Sequence, residues 1–212
     1  MTDRLCVIFD FDGTLVLSNQ IKRDSFFAAV DGVDGGTAVM AEILAEGGDR
    51  YRIFRRFAER MAGSVGKDDP CAWASALAGV YTRTVEHSIL HCRERLGASE
   101  ALRELWNAGH AVYIASATPR AALVPIVRGR GYDKWLHGIY GGPASKADNI
   151  RAILSRENMS PNRAIMVGDG SDDRDGAQAT GCRFIAVAGG TLGPFDGGLV
   201  DFADFAVRIG GK

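Results

Sequence analysis

Residues 4–10, RLCVIFD, run straight into Asp10-Phe11-Asp12-Gly13-Thr14, and this junction decides the architecture. A short run of β-prone apolar side chains without polar alternation belongs to a strand covered on both faces, as in a parallel sheet. The run ends on a carboxylate. Open parallel sheets hold their ligand crevice beyond the carboxyl ends of the strands, so Asp10 and Asp12 are expected at a crevice. Working outward, residues 110–116 (HAVYIAS), 163–169 (RAIMVGD) and 183–188 (RFIAVA) share the character of the first run. Helical patterns separate them. Ser99 is placed to cap a helix carrying Leu102, Leu105 and Trp106, which Gly109 ends. Ser145 and Asp148 form an S-x-x-D box opening a helix with Ala147, Ile150 and Leu154 on one face. Pro125, inside another helical stretch, predicts a kink or a later start. The alternation predicts an α/β fold, a parallel sheet with helices on both faces.

The interval 16–95 has helical apolar spacing and no convincing strand. Phe26, Phe27 and Val30 suit one helix, and Val39, Met40, Ile43 and Leu44 a second. Ile53, Phe54, Phe57 and Met61 suit a third, and Trp73, Leu77, Tyr81 and Val85 a fourth. The expected organisation is an α/β core of residues 1–15 and 96–212 with an inserted all-helical domain, residues 16–95. A chain of 212 residues can bury one full core and a second, smaller one. Hydrophobic residues at 46% and charged residues at 24% leave no large disordered fraction, and only the Gly-rich tail after Gly189 looks loose. With 25 basic against 26 acidic residues, net charge −1, nothing favours nucleic acid or an anionic membrane, so any anion must be held locally. Residues 1–5 lack the basic and long apolar regions of a signal peptide, and no apolar run is long enough to span a bilayer. Cys6, Cys71, Cys92 and Cys182 are scattered, which suits a cytoplasmic protein whose cysteines are buried small hydrophobes.

Two carboxylates two residues apart, Asp10 and Asp12, project the same way if the chain stays extended and can reach one reacting centre. One can attack phosphorus while the other gives a proton to the leaving oxygen and takes one from water. An Asp-Gly pair that merely marks a turn is the alternative. Val167-Gly168-Asp169-Gly170-Ser171-Asp172-Asp173 again ends an apolar run in acidic residues. Mg²⁺ takes oxygen ligands and keeps several waters, so one or two carboxylates beside a phosphate suffice; Asp169 would be a direct ligand with Asp173 behind it. Acidic residues capping a helix are the alternative there, for Asp172 as well. Ser116 ends a strand just before Thr118-Pro119, so its hydroxyl and nearby backbone N–H groups, Ala117 included, can face an anion. Lys146 sits in the first turn of a helix, an unfavourable place for a cation unless something negative is near.

With these residues in order, the chain resembles the haloacid dehalogenase-like hydrolase superfamily, in its phosphoglycolate-phosphatase and β-phosphoglucomutase-like branch. Residues 10–16 (DFDGTLV) match the first motif, Ser116 the second, Lys146 the third, and Gly168-Asp169 with Asp173 the fourth. The resemblance implies a Rossmann-like core with an all-helical cap closing over the substrate. It implies Asp10 as nucleophile, Asp12 as general acid/base, and Asp10, Asp169 and the Asp12 carbonyl as Mg²⁺ ligands. Ser116, Ala117 and Lys146 would hold the phosphoryl group, with Thr14 and Asp173 supporting the site. The second carboxylate, Asp12, speaks against halide removal, whose enzymes lack it. Phosphonate cleavage would want a Schiff-base lysine, and Lys22 and Lys67 are the only lysines of the helical interval. Lys22 and Arg50 are candidate substrate contacts from the cap, since such groups suit carboxylate and phosphate. The expected partner is a small phosphorylated metabolite, a sugar phosphate or phosphoglycolate-like molecule, met by a monomer or homodimer. The rival expectations are a phosphomutase and a non-catalytic binding module that retains the fold.

Overall fold

The computed structural model describes residues 4–190, 198–203 and 205–210. The opening apolar run forms β1 (Cys6–Phe9), buried throughout, at the centre of a five-stranded sheet. Its companions are β2 (Ala111–Pro119), β3 (Gly138–Gly142), β4 (Ala164–Gly168) and β5 (Arg183–Ala186), in the order β3-β2-β1-β4-β5 with every pairing parallel. Cys6 and Ile8 point to one face, where Tyr113, Met166 and Ala177 meet Ile150 and Ile153. That face is covered by α7 (Lys146–Glu157) and α8 (Ser171–Thr180). The opposite face carries α5 (Ala98–Asn107), α6 (Arg120–Gly129) and α9 (Phe205–Gly210). Phe202 and Phe205 there lie 5.6 Å from the Phe9 ring, both fully buried. The helices on both faces give the α/β class that the alternating pattern predicts.

The chain divides into two compact units, one of Met1–Asn19 with Cys92–Lys212, the other of Gln20–His91. The second is built from α1 (Asn19–Ala29, whose first residue belongs to the first unit), α2 (Gly36–Glu46), α3 (Arg50–Met61) and α4 (Pro70–His91), the four helices the apolar spacing predicts. Phe26, Phe54 and Tyr81 stack at its centre, with ring centroids 4.3–5.8 Å apart. Asp49 caps α3 by accepting from the Tyr51 and Arg52 N–H groups. No helix among the described residues is long and apolar enough to cross a membrane.

Several local expectations are corrected. β3, Gly-Ile-Tyr-Gly-Gly, was not visible as a strand because three of its five residues are glycine. Ser99 does not cap α5: Gly97, at φ 80°, makes the turn, and the Ser99 hydroxyl donates instead to Glu94 at 2.6 Å. α6 starts at Arg120 and runs through Pro125 to Gly129. The tail after Gly189 is not wholly loose, since Leu199 bridges to Val187 and Phe202 and Phe205 are core residues; residues 191–197, 204, 211 and 212 lie outside the described residues. Of the four free cysteines only Cys6 is buried, its thiol pushed up to about 12 by that burial. Cys71 is exposed in the first turn of α4, and Cys92 and Cys182 are half-buried.

Candidate active site

Adjacent strand ends deliver the site. Asp10 follows β1 and still donates its N–H to Val167 O at 2.8 Å, which locks it beside the end of β4. The chain then turns sharply at Gly13, φ 79°, where the N–H donates to Val16 O. A Cβ at Gly13 would lie 2.2 Å from Asp169 Oδ2, so both the backbone angle and the close approach of the second acidic loop demand glycine. Asp169 leaves β4, and Asp173 sits in the first turn of α8, accepting from Gly170 N at 3.0 Å.

Lys146, the first residue of α7 and capped by Ser145, reaches into this cluster. Its Nζ lies 2.7 Å from Asp10 Oδ1, 2.6 Å from Asp173 Oδ1 and 2.8 Å from Ala115 O. The side chains of Lys146, Asp10 and Asp173 are 4%, 9% and 1% exposed. The conflict between a lysine and a positive helix end is thus met by two buried carboxylates. Burial alone would discharge Lys146, but Asp10, Asp173 and Asp172 outweigh it and hold the ammonium above its ordinary value. Burial also drives Asp10 well above the usual carboxylate range; Lys146 opposes, while Asp173, Asp12 and Asp169 add to the rise. Asp173 is pushed up to about 6, by burial first, against the pull of Lys146. Carboxylates therefore outnumber the buried cation.

That surplus is the condition a divalent ion relieves. Asp10, Asp169 and Asp173 each offer an oxygen, all within 4.8 Å of one another. A set of hard oxygen donors fits a hard cation rather than a thiophilic one. The Asp12 carboxylate is held by two hydroxyls, Ser18 Oγ donating to Oδ1 at 2.8 Å and Thr118 Oγ1 to Oδ2 at 2.7 Å. Thr14 Oγ1 donates to Asp169 Oδ1 at 3.1 Å and Asn19 Nδ2 to Oδ2 at 2.7 Å. Ser116 does not end β2, which continues to Pro119; it is buried within the strand, its Oγ accepting from Thr118 N at 3.1 Å, and Ala117 beside it is exposed.

The structure thus brings together Asp10, Thr14, Lys146, Asp169 and Asp173, with Asp12 and Ser116 joined through Thr118. Lys22 lies on α1 and Arg50 opens α3, both in the helical unit. The Arg50 guanidinium stacks 5.0 Å over the Tyr51 ring, and Arg56 pairs with Glu46 at 3.2 Å. Sequence reasoning missed Ser18, Asn19 and Thr118 as partners of the acidic residues. Each is a small polar residue within a few positions of a motif, and no local pattern says which carboxylate it meets. It also missed Arg95, whose guanidinium is buried behind the same loops.

Open parallel sheets hold their ligands beyond the carboxyl ends of the strands, and there these carboxylates gather with Lys146 from the start of α7. Residues 7–187 match the model of the haloacid dehalogenase-like hydrolase family, and the chain belongs to that family. A phosphoglycolate phosphatase of Thiobacillus denitrificans is 29% identical over 126 residues, 56% of this chain and 55% of that protein. The match therefore spans about half the length of that curated relative. Among solved structures, a predicted phosphoglycolate phosphatase from Haemophilus somnus 129PT superposes with a TM-score of 0.77 at 22% identity, covering 99% of both chains. CbbY from Rhodobacter sphaeroides in complex with xylulose-1,5-bisphosphate gives 0.69 at 19% identity, covering 95% of this chain and 96% of that one. At these identities the superpositions speak for the fold.

Proposed function

We propose that this protein is a Mg²⁺-dependent phosphatase that hydrolyses a small phosphomonoester through an aspartyl phosphate on Asp10. The observation that carries the reading is the buried Lys146 ammonium held 2.7 Å from Asp10 Oδ1 among carboxylates that outnumber it. Asp10 attacks phosphorus in line, forming the acyl–phosphate bond as the ester P–O bond breaks, and protonated Asp12 gives its proton to the departing alkoxide. Asp12, now a carboxylate, takes a proton from water; the water oxygen attacks phosphorus, releasing inorganic phosphate and regenerating Asp10. Ser18 and Thr118 fix the orientation of Asp12 through both exchanges. Lys146, Ser116 and the Ala117 backbone hold the phosphoryl oxygens. Asp10, Asp169 and the Asp12 carbonyl would hold Mg²⁺, with Asp173 and Thr14 supporting. When bound, the ion supplies positive charge against the phosphoryl oxygens and the carboxylate cluster.

The helical unit Gln20–His91 stands for the inserted cap expected at residues 16–95, and Lys22 and Arg50 are its proposed substrate contacts. A relative named phosphoglycolate phosphatase and a neighbour bound to a sugar bisphosphate support a small, anionic phosphorylated metabolite as substrate. The net charge of −1 supports a protein without a nucleic-acid or anionic-membrane partner, and we take it to be a cytoplasmic enzyme, a monomer or homodimer.

Asp10→Asn tests the assignment. With Mg²⁺ and an aryl phosphate, turnover is expected to fall at least about a thousandfold with the fold intact; wild-type turnover would contradict it. Wild-type protein that interconverts sugar-phosphate isomers faster than it frees phosphate is a phosphomutase. One inert across a panel of sugar phosphates, phosphoglycolate and nucleotides is a binding module.

A further inference from the structure

Arg95 is a buried cation, 8% exposed, that none of the motif residues accounts for. Among the described residues its guanidinium donates to four backbone carbonyls. Nε donates to Thr14 O at 2.9 Å and Nη2 to Gly13 O at 2.5 Å, gripping two successive peptides of the loop that follows Asp12. Nη2 also donates to Ala188 O at 3.1 Å and Nη1 to Val200 O at 2.8 Å, in the segments on either side of the Val187–Leu199 bridge. Its own backbone is pinned too: the Arg95 N–H donates to Leu15 O at 2.9 Å, and the Leu17 N–H to Arg93 O at 2.9 Å.

These two gripped loops hold Asp169 between them. From one side, Thr14 Oγ1 binds Asp169 Oδ1 and Gly13 runs so close that a Cβ would lie 2.2 Å from Oδ2. From the other, a Cβ on Gly190, two residues beyond Ala188, would lie 2.0 Å from Asp169 O. One planar fork therefore spans both walls of the metal-side carboxylate, a geometry that a lysine, a point charge with three donors, cannot copy. We propose that Arg95 is a positioning residue that sets the distance between the Asp12 loop and Asp169, and through it the affinity for the divalent cation and the aim of Asp12. This rests on the functional reading above.

The test uses full-length Arg95→Lys and Arg95→Gln, with Leu105→Ala, a core change on α5, as a stability control. Calorimetric titration of metal-free protein with Mg²⁺ gives the dissociation constant without turnover, and aryl phosphate hydrolysis gives kcat and KM separately. Groups that hold metal ligands in place typically change affinity about 10- to 100-fold when altered. Both Arg95 variants are expected to weaken Mg²⁺ binding at least about tenfold and lower kcat, with KM within about twofold of wild type. Leu105→Ala should lose thermal stability while keeping the wild-type Mg²⁺ constant. The proposal is overturned if folded Arg95 variants bind Mg²⁺ and turn over as wild type does, if Leu105→Ala weakens Mg²⁺ equally, or if both Arg95 variants fail to fold, which assigns the residue to stability alone. A wild-type protein that neither binds Mg²⁺ nor hydrolyses the ester fails the functional reading itself. A wild type that does both beside unchanged variants fails only the Arg95 assignment.

Discussion

Replacing Lys146 by methionine removes one positive charge from a site that holds Asp10 and Asp173 at 2.7 and 2.6 Å from it. The aliphatic stem should stay where it is. Lys146 Cβ and Cγ face Gly176 of α8 so closely that a Cβ on that glycine would sit 3.0 Å away, and methionine keeps that part of the chain. What is lost is the ammonium, leaving two carboxylates buried without compensation. Removing one partner of a buried ion pair costs about 3–5 kcal/mol, a large part of the roughly 5–15 kcal/mol that a domain has. With a urea slope of about 2–3 kcal/mol per molar, the unfolding midpoint should drop by roughly 1–2.5 M in metal-free buffer. In a Trp73→Phe background, fluorescence of Trp106 and Trp135 follows the α/β unit. Saturating Mg²⁺ should shrink the drop, since a divalent ion answers the same surplus charge, and Lys146→Met with Asp173→Asn should recover part of it by deleting one stranded carboxylate. A loss below about 1 kcal/mol without metal would refute the view that this ammonium balances the buried acids.

Other perturbations bear on single contacts. Gly13→Ala should abolish turnover and cost stability, because φ 79° and a Cβ 2.2 Å from Asp169 Oδ2 cannot both be accommodated; near-normal kinetics would count against the tight packing of the acidic loops. Thr118→Val deletes the hydroxyl that donates to Asp12 Oδ2 and should cut kcat about tenfold with little change in melting temperature, as read by steady-state kinetics. His110 and His137 are both drawn below the usual imidazole value, chiefly by burial, and each Nδ1 accepts a backbone N–H, from Leu5 and Val112 respectively, at 3.1 Å. A folded value below the unfolded one, about 6.5, means that the unfolded chain binds more protons. The stability these rings contribute is thus full above about pH 6.5 and lost as pH falls through the folded values. Asparagine at both positions, which keeps an acceptor near Nδ1 but does not titrate, should flatten the decline of the thermal midpoint between about pH 7.5 and 5.5. An unchanged decline would assign it to other groups.

The parts of the fold legible in the sequence were those whose reason is local. β1, β4 and the first six residues of β2 announce themselves as apolar runs because burial on both faces leaves no polar alternation, β5 shows the same apolar run although it is a half-buried edge strand, and Ser145 caps α7 through the S-x-x-D box that its spacing suggests, accepting from Asp148 N at 3.1 Å. β3 escaped because its glycines answer to distant neighbours. A Cβ on Gly138 would meet Tyr113 Cε1 at 2.9 Å, and one on Gly141 would meet Thr118 O at 2.7 Å. In the same way Asp10, Lys146 and Asp169 were recognisable from their places at strand and helix ends. The hydroxyls on Asp12, Asn19 on Asp169 and the reach of Arg95 depend on which loops the sheet order brings side by side. Ser99 misled because its cap signal is real, yet Gly97 lies against the backbone of residues 202 and 203, where a Cβ would be 2.9 Å from Ala203 N, and the turn forms there instead.

The claim on which the rest depends is that the Asp10 carboxylate takes up the phosphoryl group. Rapid-quench mixing of the Mg²⁺-loaded protein with a ³²P-labelled phosphomonoester, followed by proteolysis, tests it directly. Label should appear within the first turnover on the peptide containing Asp10 and be lost on treatment with hydroxylamine, as an acyl phosphate is. Steady release of labelled phosphate with no label on that peptide at any time, or label on another residue, would contradict it.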